Sequence, residues 1–135
     1  MRRETIFFLA LLALIAVPFA TAFHDPKVSI TPNETWEGIT KNFTLHINNS
    51  GSSSSIINIT LNVTPFDASW CMEDDTWNCS ISADKKIINW YGGEISNLIN
   101  PTASFGFTAK ILIVDKDTEF NLTVTTKDKD NYTCL

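Results

Sequence analysis

Eight asparagines stand in Asn-x-Ser/Thr triplets with no proline between: Asn33, Asn42, Asn48, Asn58, Asn62, Asn78, Asn121 and Asn131. This is the N-glycan acceptor pattern, in which the carboxamide nitrogen takes the sugar. Residues 23–135 hold twelve Asn and 25 Ser or Thr, from which chance would yield about three such triplets. The excess predicts a glycoprotein. Position strengthens the reading. In "IINITLNVT" Asn58 and Asn62 alternate with Ile57, Ile59, Leu61 and Val63, so a strand would turn both asparagines to solvent. Asn42 precedes Phe43, and Asn121 lies between Phe120 and Leu122, in the same phase. Asn33, Asn48 and Asn131 fall in turns or a tail, while Asn78 has Cys79 as its middle residue. Filling the polar face of strands explains Thr, a good strand residue, but not Asn, which is depleted there.

The other chemistry-bearing residues cluster less. Cys71 and Cys79 bracket "CMEDDTWNC" and are expected to close a small disulfide loop in an exported chain. Metal binding is the rival reading of the pair, although no histidine stands nearby to complete a tetrahedral set. Cys134 is left over, and stands free, pairs with another chain or marks a gene-model end. Trp70, Glu73, Asp74, Asp75 and Trp77 would make that loop a rigid recognition tip. Adjacent carboxylates in one loop do not supply the opposed geometry of a glycoside hydrolase, and neither His24 nor His46 has a nucleophile motif beside it. A catalytic site is therefore not expected. Asp115, Asp117 and Glu119, or Asp128, Asp130 and Asn131, offer oxygens for a structural calcium ion. Lys116, Lys127 and Lys129 interleave with them, which favours solvated charged turns, so no cofactor is expected apart from that calcium alternative.

The elements that must position these residues are strands. Arg2 and Arg3 precede an apolar run from Ile6 to Val17, followed by Pro18 and Ala20-Thr21-Ala22. This reads as an N-terminal signal-peptide helix spanning 1–22, with an uncleaved anchor as the alternative. The remainder, 23–135, suits one domain. The full chain carries formal charge -5, and the leader contributes two Arg and one Glu, so the remainder carries -6. Nothing in it forms the basic cluster that nucleic acid requires.

Period-2 alternation then runs through "KVSIT", "NFTLHIN", "SIINITLNVT", "WNCSIS", "KIINWYGG", "SFGFTAKILIV" and "EFNLTVTT". The predicted core includes Phe43, Leu45, Ile47, Ile88, Trp90, Phe105, Phe107, Ala109, Ile111 and Ile113, with Phe120, Leu122 and Val124. About seven short strands with polar turns predict an all-β, immunoglobulin-like antiparallel sandwich, a small barrel being the alternative.

Three stretches carry a resemblance. "FTLHINNSGSSSSIINITLNV", "WNCSISADKKIINWYGGEISNLINPTASFGFTAKI" and "EFNLTVTTKDKDN" together resemble the immunoglobulin-like modules of archaeal cell-surface and S-layer-associated proteins, including CARDB-like adhesion modules. The likeness spans residues 42 to 131 and implies a non-catalytic part in structure, adhesion or envelope assembly. The expected protein is thus a secreted or cell-surface glycoprotein whose partners are other envelope proteins or surface glycans. A carbohydrate-binding domain and a self-assembling layer or filament subunit, joined through a sheet edge or Cys134, are the alternatives.

Overall fold

A computed structural model describes residues 24–114, 116–130 and 133–134. Nine strands form two antiparallel sheets: β1 (Lys27–Thr31), β2 (Thr40–Asn48), β3 (Ile56–Asn62), β4 (Asp67–Cys71), β5 (Asn78–Ile81), β6 (Ile87–Ile95), β7 (Thr102–Lys110), β8 (Thr123–Asp128) and β9 (Thr133–Cys134). One sheet has the order β1-β2-β7-β4, the other β5-β6-β3-β8-β9. They face each other as a sandwich because each strand carries one apolar side that water excludes.

Register follows that side. Phe43 lies opposite Phe107 and Leu45 opposite Phe105, while in the second sheet Ile59 faces Trp90, Leu61 faces Ile88 and Leu61 also faces Val124. Trp90 is fully buried, with Phe105 and Phe107 at ring distances of 5.3 and 6.4 Å. Its indole nitrogen donates to the Met72 carbonyl at 3.1 Å, which removes the cost of burying that polar atom. Asn49 is buried as well, and its Nδ2 donates to the Ser54 and Ile95 carbonyls. That amide ties the Ser-rich β2–β3 turn to the end of β6.

Several expectations need correction. Among the described residues there are nine strands where about seven were expected, because "DASWC" pairs with β7 and Thr133–Cys134 pairs with β8. A β-bulge between Ile56 and Asn58 shifts β3, so Ile56 is fully buried and Ile57 only half-buried. The bulge adds one residue and inverts the phase upstream of it, leaving Asn58, Thr60 and Asn62 on the outer side. The ladder ends just past Lys110: the Ile111 N–H still donates to the Ile39 carbonyl at 2.8 Å, but the neighbouring chain turns at Gly38 (φ 71), whose N–H meets the Ile111 and Leu112 carbonyls instead of a further strand partner. Ile113 is consequently 81% exposed rather than core. β8 starts only at Thr123, although Phe120 still packs edge-on against Phe66 with centroids 5.0 Å apart.

Candidate functional site

The acceptor asparagines occupy defined rows. On the outer side of the five-stranded sheet, Asn78 and Asn58 both lie opposite Tyr91, and Asn58 also lies opposite Lys127. Asn62 lies opposite Ile87 and Thr123, two residues past Asn121. Asn42 and Asn48 stand near the two ends of β2 on the four-stranded sheet, and Asn33 follows β1. Asn33, Asn42, Asn48, Asn78 and Asn121 are exposed, Asn58 and Asn62 half-buried. Asn131 lies outside the described residues.

The carboxamides are not equivalent. Asn48 Oδ1 accepts from Ser50 N and Asn62 Oδ1 from Thr64 N, both at 2.9 Å. Asn42 Oδ1 accepts from Thr108 Oγ1 at 2.7 Å. In all three the oxygen is held while the nitrogen is the atom a sugar would take. Asn78 differs, because its Nδ2 lies 2.8 Å from where a Cβ on Gly92 would stand. Its nitrogen is packed against the β6 backbone, and its neighbour Cys79 is bonded to Cys71.

That disulfide joins β4 of one sheet to β5 of the other, with Cα atoms 6.2 Å apart. Within the loop between them, Trp77 is not the exposed aromatic that the loop's composition suggests. Trp77 is only 5% exposed and stands edge-on to Phe105, centroids 5.2 Å apart. Its ring crosses Gly93 within 2.3 Å of a hypothetical Cβ, so Gly93 admits the indole, while Gly92, at φ 88, faces Asn78. Asp74 Oδ1 accepts from Thr76 N and Trp77 N at 2.8 and 2.7 Å, and Glu73 Oε1 from Cys79 N at 3.3 Å. Both carboxylates hold the loop's shape, which leaves Asp75 and Trp70 facing water.

Trp70 instead belongs to a face. It is 52% exposed, opposite Thr108 on β7, with its six-membered ring 3.3 Å from a hypothetical Gly106 Cβ. Asn42 lies opposite Thr108, Thr44 opposite Gly106 and Thr31, and His46 opposite Ser104 and Ser29. His46 Nε2 lies 2.8 Å from Thr31 Oγ1, and Nδ1 lies 2.9 Å from Ser104 Oγ. A shallow groove runs beside it, lined by Ser29, His46, Asn48, Thr102 and Ser104. Charge is confined to the border. Asp67 there is bridged to Lys86 at 2.8 Å, and this hydrogen bond holds its carboxyl below the ordinary carboxylate range. The alternation T-x-S-x-G-x-T along β7 signals this outward row, but only the pairing of β4 brings Trp70 to it.

A hydroxyl–imidazole–carboxylate series is internal. His24 Nε2 lies 2.6 Å from Thr126 Oγ1, and Nδ1 lies 3.5 Å from Asp128 Oδ2. Its order matches a proton relay, yet Thr126 is 2% exposed, so no substrate carbonyl reaches its oxygen. The series pins the start of the domain to β8. Asp128, one of the predicted calcium-binding carboxylates, is fully buried beside His24. Asp115 lies outside the described residues, Asp117 and Glu119 are exposed, and no three His, Cys, Asp or Glu gather into a metal-binding group among the described residues.

No protein-family model and no curated protein sequence matches this chain. Among solved structures, an uncharacterized protein from Nocardia farcinica with an immunoglobulin-like fold superposes at a TM-score of 0.57, with 11% identity, 84% of this chain and 80% of that chain covered. The fold is immunoglobulin-like. The chitin-binding domain of a Pyrococcus furiosus chitinase superposes at a TM-score of 0.45 and 14% identity, covering 82% of this chain and 98% of that one. The immunoglobulin-like sandwich here carries its inter-sheet disulfide between β4 and β5, which follow one another in sequence, with the buried Trp90 beneath.

Proposed function

We propose that this chain is an exported, N-glycosylated immunoglobulin-like module with a non-catalytic structural or adhesive role at a cell surface, of the kind found in archaeal envelopes. The observation that carries the reading is the placement of the acceptor triplets. Every acceptor asparagine on a described strand lies on an outer side of the sandwich, so sugars can be added without disturbing the core. The disulfide between Cys71 and Cys79 accords with an oxidising compartment. A coat on both sheets would also shield exposed backbone from proteases and from edge-to-edge pairing.

The test is the intact mass of the protein from its native host, before and after reduction and deglycosylation. The reading predicts a mature chain starting at Phe23, heavier than its polypeptide by several glycans and lacking two thiol hydrogens. A full-length chain of bare polypeptide mass with three free thiols would overturn it.

A further inference from the structure

We infer that the outer face of the four-stranded sheet is a binding surface for a neutral, extended polysaccharide, with Trp70 as its stacking platform. The inference rests on the reading of the chain as a non-catalytic surface module and names what that module would hold. Three features of the face select this partner.

Its central rows, Ser29-His46-Ser104, Thr31-Thr44-Gly106 and Asn42-Thr108-Trp70, contain no carboxylate and no lysine. Lys27, Asp67 and Lys110 stand only in the rows beyond them. In a chain of formal charge -5, an uncharged patch of this extent fits a neutral partner better than an anionic one. The side chains are hydroxyls, an amide and an imidazole, which both donate and accept, as a polyol requires.

Trp70 supplies the apolar part. Gly106 lets its ring settle onto the sheet, and an indole that lies half-exposed on a polar face presents a flat apolar surface to the C–H side of a pyranose. A protein partner would need a wider apolar centre, and the rest of this face is polar. Four strands at ordinary spacing set the outward residues of β1 and β4 about 14 Å apart, a span suited to a chain of sugars rather than to a single ring. Most of the acceptor asparagines placed on strands lie on the opposite sheet. Asn48 lies at the border of this face, and Asn42 lies in the Trp70 row itself, so a glycan there would flank the platform.

The test is depletion binding of the native protein to crystalline cellulose and to crystalline chitin, before and after deglycosylation, alongside variants expressed in the same host. Wild-type protein should be retained by at least one of the two polymers, and removal of its own glycans should preserve or improve retention. Trp70→Ala should weaken binding tenfold or more, Trp70→Tyr should restore part of it, and Trp36→Ala, at an 81% exposed tryptophan in the connection between β1 and β2, should leave it unchanged. Trp70 lies on an edge strand, so an intact disulfide and an unchanged melting transition would verify folding of the variants. Failure of wild-type protein to bind either polymer in either state would overturn the inference, as would equal losses in Trp36→Ala and Trp70→Ala. A glycosylated protein that binds neither polymer refutes this surface alone. A bare native protein that binds through Trp70 refutes the glycoprotein reading alone.

Discussion

Trp77→Ala should destabilise the domain by about 3–5 kcal/mol, the usual cost of removing a large buried aromatic. The indole is almost wholly enclosed and meets Phe105 edge-on, so its loss would open a cavity between the sheets. Urea unfolding would read the effect as a lower midpoint with little change in slope. Gly93 gives the internal control. A methyl group there would fall 2.3 to 2.5 Å from the Trp77 ring, closer than side chains tolerate, so Gly93→Ala should itself destabilise the domain. In the Trp77→Ala background that methyl has room, and the double variant should lose less than the sum of the singles. Wild-type stability in Trp77→Ala would mean that the tryptophan is an exposed tip after all.

Reduction of the Cys71–Cys79 bond, or the double substitution Cys71→Ser with Cys79→Ser, should cost about 2.5 kcal/mol. This follows from the closure entropy of a loop with a sequence separation of 8. The structural consequence is wider than the loop, because the bond joins edge strands of different sheets. Hydrogen exchange should therefore accelerate first along β4 and β5, while β2, β3 and β7 keep their protection. Uniform loss of protection across both sheets would contradict a local edge staple.

Alternation made most of this architecture readable. Leu45, Ile47, Trp90, Phe105 and Phe107 all lie where a period of two places them. It failed where a single residue breaks the count. Against β8, Ile57 is an extra residue that inverts the face of Ile56, and nothing in the composition of β3 marks it. β4 was hidden because only Ala68 of its five residues is buried, so it lacks the apolar alternation that defines a strand and exists through pairing with β7. Ile113 continued the β7 phase on paper, yet the chain leading into β2, its pairing partner, turns away at Gly38 before reaching it. The candidate site divided along the same line. Outward acceptors such as Asn42 and Asn62 follow from phase, whereas Trp70 and Trp77, expected together in one recognition loop, part company: Trp77 is buried and Trp70 lies half-exposed on a sheet face. Whether a tryptophan in a loop is buried depends on a glycine sixteen residues later in the chain, which spacing alone does not reveal.

Site-resolved glycan occupancy of the native protein tests the central claim most directly. Proteolytic peptides from the native host, analysed by mass spectrometry, should carry glycans at Asn42, Asn48 and Asn62, whose oxygens are held and which lie on the outer sides of their strands. Asn78 should be bare, its nitrogen lying against Gly92 and its neighbour bridged to Cys71. Unmodified asparagine at Asn42, Asn48 and Asn62 alike would contradict the account.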